Sequence, residues 1–107
     1  MNEEERSNMV KDLLDKGTIM YNSEKFLDAM GFFEKVLEID PNHILALVSK
    51  GKTLLKLEKY RDALIYFRKA LEIDPEFEEA KKYRDIALKE IYTPYESEFS
   101  CRENIYL

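Results

Sequence analysis

The chain repeats itself with a period of 34 residues, so that residues 10–43 and 44–77 are one unit written twice. Fourteen positions are identical without a gap, and several of the mismatches are conservative. A repeat of this length is the sequence signature of a stacked repeat architecture. The identities include the pairs Leu13/Leu47, Gly17/Gly51, Ala29/Ala63, Phe33/Phe67 and Pro41/Pro75.

The apolar spacing within each unit predicts two antiparallel helices. Leu47, Leu54 and Leu55 lie at i, i+7 and i+8, and residues 63–71 continue with a helical period. A short segment separates the two helices, at 23–26 in the first unit and 57–60 in the second. Asn22, which tolerates the left-handed backbone conformation, is expected to end the first helix.

Two further repeated features indicate how the helices begin and how they pack. The sequence Glu-Ile-Asp-Pro recurs, and we expect Asp40 and Asp74 to cap the next helix, with the proline at its first position. Glycine inside a helix costs about 1 kcal/mol relative to alanine, so Gly51 requires a close helix contact. We expect Ala63 to face that glycine, and Phe67 to fill the space one turn later.

This pattern resembles the tetratricopeptide repeat family. The resemblance implies an all-α, antiparallel helix-pair solenoid with a right-handed superhelical twist. It covers 10–77 and departs from the family pattern where Leu13 and Leu47 replace an opening aromatic residue, and where Lys16 and Lys50 replace a leucine. The residues that carry it are Gly17, Ala29, Phe33, Pro41, Gly51, Ala63, Phe67 and Pro75.

The array is expected to end with a capping helix at about 76–92. This segment begins like a third repeat, but Arg84 and Asp85 occupy the places of Lys50 and Gly51, which prevents a partner helix from packing closely. Thr93-Pro94 is expected to stop the helix. The sequence therefore predicts one domain at 1–92 and a flexible tail at 93–107.

In the tetratricopeptide family, the first helix of each repeat lines a concave groove that receives a peptide or helix from a partner. The resemblance places both lysines and an apolar strip on that surface, and the apolar strip indicates binding. The predicted groove residues are Lys11, Leu14, Thr18, Tyr21, Leu45, Val48, Ser49, Lys52, Leu55, Lys56, Tyr83 and Ile86.

A carboxylate clamp, which some family members use to hold acidic protein C-termini, is absent from these positions. Its lysine, asparagine and arginine places are occupied by Leu14, Thr18, Ser49, Glu79 and Tyr83. We therefore expect a peptide or amphipathic helix with apolar or aromatic anchors and some acidic character.

Charge and composition exclude several other classes of function. The net charge is -5, which disfavours nucleic acid and anionic membranes. No apolar run approaches the roughly 18 residues needed to span a bilayer, and the start lacks a secretory signal. With Cys101 as the one cysteine, no internal disulfide forms. We expect a cytoplasmic protein.

Catalysis is not expected, because the sequence has no catalytic constellation. The one histidine, His43, lies at the repeat junction and is expected to be a solvated turn residue. No cluster has the spacing of a metal site, and no glycine-rich loop is present. We expect no cofactor, no metal and no small-molecule substrate.

Two functions from different classes remain open. The first is an adaptor or scaffold that recruits another protein through its groove. The second is a structural protein that assembles with a second copy of itself, through the groove, by helix stacking or through the tail.

Overall fold

The computed structural model describes the backbone of residues 1–106 and the side chains of residues 1–92. Within that part, the chain forms five α-helices and no strand. These are α1 (Glu3–Asn22), α2 (Phe26–Ile39), α3 (Ile44–Lys56), α4 (Tyr60–Ile73) and α5 (Glu78–Tyr106). The α1–α2 and α3–α4 pairs are the two predicted repeats, so the predicted all-α helical-repeat fold is confirmed.

The turn inside each repeat is closed by a left-handed residue, which is Glu24 in the first repeat (φ 61°) and Glu58 in the second (φ 60°). In the second repeat the Lys59 amide donates to the Leu54 carbonyl at 2.9 Å, and the Glu58 amide donates to the Leu55 carbonyl at 2.9 Å. These two bonds satisfy carbonyls that the helix end would leave free. The expectation that Asn22 supplies the left-handed residue is wrong, because Asn22 is the last helical residue.

Each helix pair is held closely together by a glycine that lies against a phenylalanine ring. A Cβ added to Gly51 would lie 2.5 Å from Cε1 of Phe67, and one added to Gly17 would lie 2.5 Å from Cε1 of Phe33. Both rings are buried. The predicted close approach is therefore present, but each glycine faces the ring, whereas it was expected to face the alanine.

The junction between the repeats differs from the predicted cap. The residue before α3 is His43, whose Nδ1 accepts a hydrogen bond from the Ala46 amide at 3.2 Å. Asp40 instead ends α2, and its carboxylate accepts from the Asn42 amide at 3.2 Å. The aspartate therefore stabilises the turn rather than the next helix, because the turn places His43 closer to the free amides of α3. His43 is half-buried at this position and not fully solvated.

Helix α5 packs along α4 and covers the end of the second repeat. Ala80 and Ala87 are fully buried in the same core cluster as Phe67. The helix does not end at Thr93-Pro94 but continues to Tyr106. A proline removes one backbone hydrogen bond and disfavours helix at the preceding residue without forbidding it, so the predicted stop is wrong. The predicted flexibility of the tail at 93–107 stays a prediction, because the side chains of this segment lie outside the described residues.

Candidate functional site

The first helices of the repeats and α5 bring part of the predicted groove together, with Lys52 on α3 at its centre. The Lys52 Nζ lies 5.6 Å from the ring centroid of Tyr21 on α1 and 5.0 Å from that of Tyr83 on α5. It also lies 3.9 Å from Oε1 of Glu79. Three helices that are distant in sequence therefore meet through one ammonium group.

Both tyrosines face the cation at distances at which aromatic rings attract it. Tyr83 is further fixed by the core, because its ring stacks on Phe67 with centroids 6.1 Å apart. The other ring, Tyr21, packs edge-on against Phe26 at 5.5 Å. The side chains that surround Lys52 are therefore held in place before any ligand arrives.

A small pocket of about 100 Å³ opens beside Lys52. The Thr18 hydroxyl donates to the Leu14 carbonyl at 2.9 Å, so its oxygen is left to accept a hydrogen bond from a ligand. The pocket is large enough for roughly three water molecules or one small polar side chain. Its lining residues are Thr18, Tyr21, Asn22, Phe33, Ser49 and Lys52.

The environment raises the pKa of Tyr21 above its ordinary value of 10.0. Burial of the hydroxyl is the largest cause, followed by the nearby Tyr83 hydroxyl and the Glu79 carboxylate. All three disfavour the phenolate, so Tyr21 is a neutral donor and acceptor at physiological pH.

The remaining predicted groove residues differ in how far they are exposed. Val48 is fully buried, so its expected place on the exposed surface is wrong: it faces the interior of the helix stack. Leu14 and Leu55 are half-buried and pack against the core clusters. The exposed residues of the predicted set are Lys11, Thr18, Leu45, Lys56 and Ile86.

The pocket contains two residues whose role the sequence indicated incompletely. Phe33 was predicted only as a core residue, yet it also lines the pocket. Asn22 lies in the last turn of α1 and forms part of the pocket wall. The sequence signal for this was its position four residues after Thr18, because residues at i and i+4 share a helix face.

The arrangement differs from a carboxylate clamp. Of the places where a clamp has its donors, Glu79 pairs with Lys52 and Tyr83 faces the same ammonium. In place of a fork of donors, the Lys52 ammonium lies between the rings of Tyr21 and Tyr83.

Two further properties concern the described residues as a whole. Among them, no three His, Cys, Asp or Glu side chains are grouped closely enough to hold a metal ion. No helix in that part of the chain is long and apolar enough to cross a membrane.

Comparison with known proteins agrees with the geometry. Residues 44–77 match the tetratricopeptide repeat family. This segment is α3, α4 and the turn that follows them, and the α1–α2 pair repeats its structure. Residues 44–77 are therefore a tetratricopeptide repeat, which supports a protein–protein interaction module in general. No curated protein matches the chain.

Proposed function

We propose that the chain binds a segment of another protein in the groove around Lys52. The segment places an acidic side chain against the Lys52 ammonium and an apolar or aromatic side chain against Tyr83 and Ile86. The observation that supports this most strongly is the position of Lys52, which lies between two tyrosine rings at the side of a polar pocket.

The charge at Lys52 is only partly compensated within the described residues. Its ammonium has three N–H donors, and its charged contact there is the Glu79 carboxylate at 3.9 Å. Because the Glu79 side chain is 47% exposed and the two charged atoms are 3.9 Å apart, this pair is worth little. A carboxylate from a ligand would therefore find a cation that is already oriented, in a site that is partly shielded from water.

The rest of the site supports recognition of a peptide rather than of an isolated anion. The Ser49 and Thr18 hydroxyls and the Asn22 amide lie beside Lys52, where they suit a ligand's backbone groups. Ile86 exposes 38% of its surface on α5, the same helix as Tyr83. A polar pocket next to an apolar surface is the usual composition of a peptide-binding groove.

A peptide selected from a random library against the wild-type chain provides the probe for the test. Lys52→Met retains the aliphatic stem and removes the charge, and we expect the Kd of the selected peptide to rise about tenfold or more. Tyr83→Glu, which introduces a negative charge beside Glu79, is expected to abolish binding.

The matched control is Lys69→Met. Lys69 also lies over a tyrosine ring, with its Nζ 5.1 Å from the centroid of Tyr66, but it lies on α4, away from the pocket. We expect the Lys69→Met variant to bind the selected peptide with the affinity of the wild type. Equal affinity of the Lys52 and Lys69 variants, with both chains folded by circular dichroism, would refute the groove assignment.

A further inference from the structure

We propose that Glu79 determines which acidic ligands the groove accepts. Its carboxylate and the ligand's carboxylate share the Lys52 ammonium, so the charge of Glu79 lowers the affinity for an acidic side chain and limits the ligand to one acid at this point. The inference rests on the function proposed above, because it concerns the same site and the same cation.

The two carboxylates approach Lys52 from different helices. The polar pocket lies on one side of Lys52, and its lining residues all belong to α1, α2 or α3. On the other side lies α5, where Oε1 of Glu79 is 3.9 Å from the Lys52 Nζ. A ligand's carboxylate can therefore enter the pocket and reach the ammonium without displacing Glu79.

The contact between Lys52 and Glu79 is electrostatic and is not a hydrogen bond. At 3.9 Å the two atoms are farther apart than the roughly 3.2 Å of an N–H···O hydrogen bond. An ammonium has three N–H donors, so a carboxylate in the pocket can approach it to hydrogen-bond distance. The ligand's carboxylate is then the closer partner, and Glu79 remains nearby as a second negative charge.

Partial burial of Lys52 makes its neighbouring charges matter for binding. The Lys52 side chain is 25% exposed, so water screens it less than it screens a surface lysine. The Glu79 side chain is 47% exposed, and a pair of this kind contributes little to folding stability. Replacing Glu79 should therefore leave the fold intact and change ligand affinity through its charge.

A second group in the pocket responds to the Glu79 charge. Tyr21 lines the pocket, and its pKa is raised above 10.0. Burial of the hydroxyl is the largest cause, the Tyr83 hydroxyl follows, and the Glu79 carboxylate is the third. A negative charge that disfavours the Tyr21 phenolate also disfavours a ligand's carboxylate in the same pocket.

These charges define the ligand more narrowly. Its acidic side chain lies in the pocket, on the α1 side of Lys52. Glu79 lies one turn before Tyr83 on α5, so the two residues share a helix face. A second acid directed toward α5 would meet the Glu79 carboxylate, whereas an apolar side chain there would meet Tyr83. The groove therefore favours a single acidic residue beside an apolar one over a run of acidic residues.

Isothermal titration calorimetry with the peptide selected against the wild-type chain tests the proposal. Each acidic residue of the peptide is first replaced by its amide, and the replacement that weakens binding most identifies the acid that reaches Lys52. Glu79→Gln retains the size of the side chain and removes its charge. We expect it to lower the Kd of the acidic peptide about threefold or more, and to leave the Kd of the amide peptide within about twofold.

The matched control is Glu78→Gln. Glu78 also lies in the first turn of α5, so both variants lose one unit of charge and a similar interaction with the helix dipole. The Glu78 carboxylate pairs instead with Lys81, whose Nζ lies 3.6 Å from its Oε1. We expect Glu78→Gln to bind both peptides as the wild type does.

An NMR titration of the Tyr21 ring gives a second readout that needs no peptide. Glu79→Gln should lower the pKa of Tyr21, because a nearby negative charge raises it. Glu78→Gln should leave this pKa unchanged. An unchanged pKa in Glu79→Gln would show that the charge does not reach the pocket, and would overturn the inference.

The calorimetric outcomes separate this inference from the function on which it rests. No gain in affinity with Glu79→Gln would overturn the inference, as would the same gain with Glu78→Gln or with the amide peptide. The groove assignment survives each of these results if Lys52→Met still weakens binding. A peptide whose affinity is independent of Lys52, or of its own acidic residues, would overturn both.

Discussion

The close contact between the helices of a repeat predicts that the same substitution has opposite effects at two glycines. Gly31 and Gly51 both lie inside helices, and replacing either by alanine gains up to about 1 kcal/mol of helix propensity. At Gly31 the new Cβ meets nothing within 4 Å, so Gly31→Ala should raise the free energy of unfolding by about 0.5–1 kcal/mol.

At Gly51 the new Cβ would lie 2.5, 2.8 and 2.9 Å from three atoms of the Phe67 ring. The ring is fully buried and stacks on the Tyr83 ring with centroids 6.1 Å apart, so the core opposes its displacement. Overpacking of this kind costs roughly 1–3 kcal/mol. Because the propensity gain is common to both variants, Gly51→Ala should be less stable than Gly31→Ala by about that amount.

Urea unfolding followed by circular dichroism at the helix band measures both free energies. The difference corresponds to at least about 4 °C in Tm for a domain of this size. Gly51→Ala should reduce the free energy of unfolding less in a Phe67→Leu background than in the wild type, because the leucine leaves space for the new Cβ. If Gly51→Ala is as stable as Gly31→Ala, Gly51 does not lie as close to the Phe67 ring as the 2.5 Å distance of an added Cβ indicates.

Two further predictions concern a turn and the groove. Glu58 has a φ of 60°, so Glu58→Gly should stabilise the chain by about 1 kcal/mol in urea unfolding, while Glu58→Ala should not. The pKa of Tyr21 is raised in the folded state, so its stabilising effect is full below pH 10.0 and is lost as the pH rises through 10.0 toward the folded value. Wild type should therefore lose more stability than Tyr21→Phe above pH 10; parallel curves would contradict this burial.

The helical repeat was predictable because it depends on spacing. The 34-residue period and the Gly, Ala, Phe and Pro positions define two helix pairs, and the structure contains them. Details that depend on local geometry were not predictable in the same way. In the first repeat the left-handed residue is Glu24 rather than Asn22, because the position in the turn, and not the residue type, imposes the conformation.

The groove was predictable as a set of helix faces but not as a set of contacts. The family resemblance placed Val48 and Lys52 on one groove surface, yet Val48 is buried in the core and Lys52 lies between Tyr21 and Tyr83. The contact between Lys52 and Tyr83 joins two helices that are separated by α4, and no periodicity within a helix encodes that distance. The predicted helix end at Pro94 was wrong, because proline weakens a helix locally without forbidding it.

The most direct test of the groove is an NMR titration of the ¹⁵N-labelled chain with the selected peptide. We predict that the largest amide shift changes occur at Thr18, Ser49 and Lys52 and in the first turns of α5. The outer stripe of α4, around Ile65, should change least. The largest changes on α4, with Lys52 unaffected, would contradict the assignment of this groove as the binding site.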